Sequence, residues 1–162
     1  MIRPAHFRLR TEQRFREGGM EREQPKKHND GQPLVDSALT GTVIAAFYET
    51  YNVLDYGFLE AVYRSALTNE LRARGLHVQC EAPIAVFYKG RRVGWYRLDL
   101  LVEQRLAVEV KAGASRGPTD RKQLLNYLRA TDLDIGLLLH YGPTPEFHRC
   151  ASPRLIASQR RL

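Results

Sequence analysis

The chain predicts an α/β domain in which helices flank a mixed β-sheet, and three stretches of its 162 residues carry that prediction. Before residue 75, apolar residues recur three and four apart, the period of a helix with one buried face. From Leu76 to Lys111 the pattern becomes alternation interrupted by short polar turns, as in consecutive antiparallel strands. Ile135-Gly136-Leu137-Leu138-Leu139 then forms an apolar run without alternation, which suits a central strand buried on both faces.

Composition narrows the class. Hydrophobic residues make up 43% and charged residues 27%, enough apolar surface for one folded domain and too much for wholesale disorder. No apolar run approaches a membrane span. The polar, arginine-rich N-terminus lacks the apolar segment of a signal peptide, so a cytoplasmic location is expected. Two cysteines, Cys80 and Cys150, neither make a disulfide framework nor have zinc-ligand spacing. A net charge of +7 favours polyanionic partners, nucleic acid among them.

Residues 1–33 hold many charges, Gly18-Gly19 and few large apolar groups, and read as a disordered basic and polar tail. The domain is expected over 34–152, followed by a frayed tail over 153–162. Within it, Leu39, Val43, Ala46, Phe47 and Tyr51 mark the buried stripe of a first helix, with Asp36 or Ser37 able to cap its start. A second helix runs from about Phe58 to Arg74, with Leu59, Val62, Ala66 and Leu71 turned inward and Gly75 closing it. Strands follow over 76–88, 91–102 and 106–111, joined by Lys89-Gly90 and by the polar turn 103–105, with Pro83 marking an edge or bulge. Pro118 suits the first turn of a helix reaching about Thr131. That helix would cross over to the 135–139 strand and make it parallel to the 106–111 strand. Residues 146–151 add an edge strand.

Chemistry concentrates on the second hairpin. With a three-residue loop, Val102 sits beside Leu106, and counting outward sets Asp99 opposite Glu109. Opposed side chains lie about 4.5–5.5 Å apart at Cβ, so two like charges there repel unless a cation offsets them. A divalent ion held by oxygen ligands would do so, and Lys111 adds a positive group two residues from Glu109. Gln123 and Tyr127, four apart, share one helix face, with Asp120 on the same stripe. Trp95-Tyr96 among Arg91, Arg92 and Arg97 reads either as a base-stacking, phosphate-binding surface or as a cross-strand aromatic cluster.

Asp99, nine intervening residues and then Glu109-Val110-Lys111 resembles the D…ExK core of the PD-(D/E)XK nuclease superfamily. Gly57-Phe58-Leu59-Glu60-Ala61-Val62-Tyr63 fits GxxExxY, the motif that names one family of that superfamily. Gln123-Leu124-Leu125-Asn126-Tyr127 fits the QxxxY element of its RecB-like branch. Leu98 stands where the superfamily name has proline. Asp120 occupies a place where histidine is expected.

The resemblance implies a restriction-endonuclease-like core and a metal-dependent nuclease that hydrolyses phosphodiester bonds in DNA, ahead of RNA. It implies Mg²⁺ or Mn²⁺ bound by Asp99 and Glu109, with the Val110 carbonyl and Glu60. Lys111 would orient or deprotonate the attacking water. Gln123, Tyr127 and Tyr63 would support the site and meet nucleic acid. The alternative is a catalytically inactive module of the same fold that binds nucleic acid or a protein partner.

Overall fold

The computed structural model describes residues 36–115, 117 and 119–159. The expected N-terminal tail, and Pro118 in the first turn of the third helix, lie outside the described residues. In chain order the elements are α1 (Ser37–Leu54), α2 (Glu60–Ala73), β1 (Val78–Tyr88), β2 (Arg91–Val102), β3 (Leu106–Ala112), α3 (Asp120–Ala130), β4 (Ile135–Tyr141), β5 (Glu146–Ala151) and α4 (Pro153–Gln159). The five strands form one sheet in sequence order. β3 and β4 run parallel across the α3 crossover, and the other neighbours are antiparallel. The mixed sheet with flanking helices expected from sequence is thus observed. Among the described residues, no helix is long and apolar enough to cross a membrane.

Turn chemistry sets the registers. Lys89 and Gly90 both have positive φ and join Tyr88 to its partner Arg91, the conformation a two-residue hairpin loop requires. Val102 pairs with Leu106 across residues 103–105, as counted. Pro83 lies within β1, an edge strand, where a residue lacking an N–H is tolerated.

Each face of the sheet carries its own core. α1 and α2 bring Val43, Phe47, Tyr63 and Leu67 onto Leu100, Val108, Val110, Leu137 and Leu139. On the other side α3 sets Leu124, Tyr127 and Leu128 against Ala82, Ile84, Leu98, Ala107 and Leu138. All seven residues of β4 are buried, since helices cover both faces.

Three local expectations need correction. The inward face of α2 is Tyr63, Leu67 and Leu71, whereas Leu59 is 79% exposed and Val62 is also exposed. The helix begins at Glu60, one residue past Leu59, and Tyr63 and Leu67 take the sheet-facing stripe. Asp36 has left-handed backbone and makes no side-chain cap on α1; its carboxylate instead pairs with Arg105 at 3.3 Å. Residues 153–159 form α4 rather than frayed chain. Ser152 Oγ accepts from the Leu155 amide at 3.2 Å, and Arg154 donates to Asp132 and to the Thr131 carbonyl, both at 2.7 Å.

Gly136 fixes how closely α3 approaches the sheet. A Cβ there would stand 2.7 Å from Leu124 Cδ1, and Leu124 is fully buried. Gly136→Ala is therefore expected to lose about 1–3 kcal/mol in urea denaturation. The double variant Gly136→Ala/Leu124→Ala should lose less than the sum of the single losses; strict additivity would show that this contact does not set the spacing.

A candidate active site where the sheet opens

The site is built on a break in strand regularity. Val78 and Leu100 pack in the α1/α2 core, whereas Ala82 and Leu98 pack toward α3. Residues two apart on a regular strand share a face, so both strands exchange faces near Cys80–Ala82 and Leu98–Leu100, which are paired segments. Glu81 sits at this exchange with φ of 52°, an uncommon region for glutamate. Beyond Leu100–Val108, β2 stops pairing with β3, while β3 continues along β4 to Ala112. Asp99 Oδ2 accepts from the freed Val110 amide at 2.9 Å. A carboxylate thus replaces the next ladder bond, and the sheet opens around it.

Glu109 follows on β3 and is 1% exposed. Its Oε1 accepts from Lys111 Nζ at 2.7 Å, while its Oε2 is buried without a hydrogen-bond partner. Burial, followed by the charge of Asp99, pushes the Glu109 carboxyl up to about 7 despite the Lys111 hydrogen bond. Burial alone would lower the Lys111 ammonium. Its hydrogen bond to Glu109 and the charges of Glu109, Glu60 and Asp99 outweigh that and raise it. Lys111 is therefore held charged.

α2 walls one side. Glu60 occupies its first turn and is half-buried; desolvation raises its carboxyl, with Lys111 opposing and Asp99 adding to the shift. One turn on, Arg64 Nη1 donates to Asp99 Oδ1 at 3.1 Å, and its Nη2 lies 3.6 Å from Glu81. Arg64 was not singled out from sequence. Its i+4 spacing from Glu60 places both on one helix face, which is the signal that points to it.

α3 walls the other side. Gln123 Nε2 donates to the Tyr127 hydroxyl at 2.5 Å, which reaches the Arg97 carbonyl at 3.4 Å. Burial raises the Tyr127 hydroxyl, and the charges of Glu109 and Asp99 raise it further, so the hydroxyl lies within their field. At 2% exposure the Tyr127 ring is enclosed. Asp120 Oδ2 accepts from the Gly117 amide at 2.8 Å and closes the loop before α3.

Tyr63 is not a nucleic-acid contact. It is fully buried and stacks on Tyr141 with centroids 4.2 Å apart. Its hydroxyl donates to the Asp55 carbonyl at 2.6 Å and accepts from the Phe58 amide at 3.1 Å. Tyr63 therefore ties the α1–α2 turn that delivers Glu60.

The donor set suits a hard divalent ion. A buried carboxylate oxygen without a partner is costly, and Glu109 Oε2 stands near a second carboxylate and a third. Among the described residues, no three His, Cys, Asp or Glu side chains lie close enough together to hold an ion alone.

An α/β sheet that opens between an Asp strand and a Glu-x-Lys strand, walled by a helix on each side, defines a restriction-endonuclease-like fold. A family model described as PD-(D/E)XK nuclease superfamily matches residues 37–150, and the chain belongs to that superfamily. Members generally use divalent metal ions. No curated protein matches the chain. The crystal structure of SSO0001 is similar with a TM-score of 0.48 and 16% identity, over 77% of this chain and 66% of that one.

The raised Glu109 carboxyl has a consequence for pH. An unfolded glutamate titrates near 4.3, so the folded chain holds this proton more tightly. The associated stability is fully present below about pH 4.3 and is lost as pH rises through about 7. In thermal scans with EDTA, Glu109→Gln is expected to lose less Tm than the unaltered protein between about pH 5 and about pH 8. Equal slopes would show that Glu109 is not the group responsible.

Proposed function

We propose that the protein is a Mg²⁺- or Mn²⁺-dependent nuclease that hydrolyses phosphodiester bonds in DNA, with DNA ahead of RNA. Within the superfamily, Gly57, Glu60 and Tyr63 support a place in the GxxExxY family, and Gln123 with Tyr127 supports the RecB-like branch. One observation carries the catalytic reading: Glu109 Oε2 is buried and unpartnered, beside Asp99, while Lys111 engages the other Glu109 oxygen. Asp99 and Glu109 would hold the ion, with the Val110 carbonyl and Glu60 through water. A bound ion would offset the phosphodiester charge and make an attacking water more acidic.

The chain's own groups have distinct tasks in this reading. Lys111, held protonated, orients the water and stabilises charge developing on the phosphate; a raised ammonium is unsuited to removing a proton. Gln123 and Tyr127 keep α3 against the opened strands. Arg64 positions the Asp99 carboxylate.

Cleavage of labelled single- and double-stranded DNA and RNA, with Mg²⁺, Mn²⁺ or EDTA, tests the proposal. Cutting is expected with either ion and not with EDTA. Lys111→Ala and Glu109→Ala are each expected to lower the rate by about 100-fold or more. Rates unchanged by either substitution would remove the assignment of this site.

Arg64 favours a second reading, the inactive module that binds nucleic acid or a protein partner. Its guanidinium already neutralises Asp99 at 3.1 Å, as an ion would. If it stands in permanently for metal, added Mn²⁺ will leave the Tm of the unaltered protein fixed and raise that of Arg64→Ala. A metal-dependent rise in the unaltered protein supports the nuclease instead.

A further inference from the structure

Past the opening, the β1–β2 ribbon continues with no third strand among the described residues, since β3 pairs with β2 only from Leu100 to Val102. Its exposed surface is aromatic and basic. From Ala82 to Leu98 the chain holds Lys89, Arg91, Arg92 and Arg97 and no Asp or Glu. Phe87 is 63% and Trp95 58% exposed. Ala85 pairs with Trp95, and Phe87, two residues beyond Ala85, pairs with Arg92. Partners across a ladder share a face, so Phe87, Arg92 and Trp95 lie together. Arg92 lies over the indole at 4.7 Å.

This face leads to the site. Trp95, Arg97 and Asp99 are alternate residues of β2, spanning about 13 Å at 3.3 Å per residue. Arg97 approaches Glu81 at 3.7 Å, and Glu81 in turn neighbours Arg64, the partner of Asp99. The ribbon is pinned to the site's other wall where Tyr96 meets Tyr127 edge to face, centroids 5.5 Å apart.

We propose that the β1–β2 ribbon is a stacking platform for single-stranded DNA. Trp95 and Phe87 receive unpaired bases, Arg92 and Arg97 meet phosphates, and the bound strand is directed toward Asp99. The choice of DNA rests on the nuclease reading. The choice of a single strand rests on the exposed rings, because bases in a duplex already stack on one another and only unpaired bases offer free faces. The acid-free run of cations supplies charge complementarity along the same surface.

Trp95 is the only tryptophan in the chain, so its emission reports on this platform directly. The 162-residue protein in EDTA, which prevents cleavage, is titrated with an oligo(dT) of about 20 nucleotides, and binding is followed in parallel by anisotropy of a labelled copy. Quenching of Trp95 emission is expected. Affinity should fall about 5- to 150-fold in Trp95→Ala and less in Trp95→Phe.

Binding with unchanged emission and unchanged affinity in Trp95→Ala would overturn the platform while leaving the nuclease reading intact. Quenching as strong by a duplex of equal length, or stronger by oligo(U), would overturn the assignment to single-stranded DNA. A dimer in sedimentation that Trp95→Ala dissolves, with no response to DNA, would assign the ribbon to a second copy of the chain and overturn the proposal. Quenching retained by a protein that cuts nothing would support the platform while removing the catalytic reading.

Discussion

Ionising a carboxylate inside a sheet core requires compensation, and Glu109 on β3 sets that requirement for this chain. Its side chain is 1% exposed between two helix-covered faces, where an unpaired charge is several kcal/mol uphill. Lys111 answers for one oxygen at 2.7 Å. The second is left over, with Asp99 raising rather than lowering the difficulty. The neighbouring architecture follows from this. β2 gives up its ladder with β3 at the point where Asp99 bonds the Val110 amide, Arg64 comes down from α2 to Asp99, and Glu81 holds an unfavourable φ at the same level. Residues in such conformations persist where the surroundings over-determine them, and they gather at functional sites.

Much of this was legible in the sequence because the signals were periodic. The α1 stripe follows a 3.6-residue repeat, the loop at 103–105 a polar break between apolar runs, and the doubly buried β4 an unbroken apolar run; Leu39, Val102 with Leu106, and Leu137 fall where those patterns place them. The pairing of Asp99 with Glu109 was legible only as counting. Counting assumes an unbroken ladder, yet the ladder ends one pair earlier and the Asp99 carboxylate turns to a backbone amide. Nothing in residue type announces a left-handed glutamate at 81.

The errors share a cause as well. On α2 both Val62 with Ala66 and Tyr63 with Leu67 are apolar pairs at helical spacing, and hydropathy cannot choose between those adjacent stripes, nor say that Leu59 falls just outside the helix. Tertiary contact decides for Tyr63, whose ring finds Tyr141 and whose hydroxyl finds the α1–α2 turn. Arg64 was overlooked because an arginine on an amphipathic helix ordinarily faces solvent; its role appears only once β2 is placed beneath α2. α4 is held by the Leu155 amide donating to Ser152 and by Arg154 donating to Asp132 and the Thr131 carbonyl, contacts that leave no periodic trace.

The break at Asp99 also divides the sheet mechanically. On one side, β4 is laddered on both edges, β3 is laddered to β4 throughout and to β2 from Leu106 to Val108, and helices cover both faces, so exposing these amides to exchange with solvent requires dismantling both cores. On the other, the ribbon beyond Asp99 can open by parting β1 from β2 and lifting Ile84, Leu98 and Tyr96 off α3. Two-stranded ribbons are marginal alone. The protein therefore contains a low-energy cooperative unit joined to a rigid one at the carboxylate that marks the site, and local unfolding of the first leaves the second assembled.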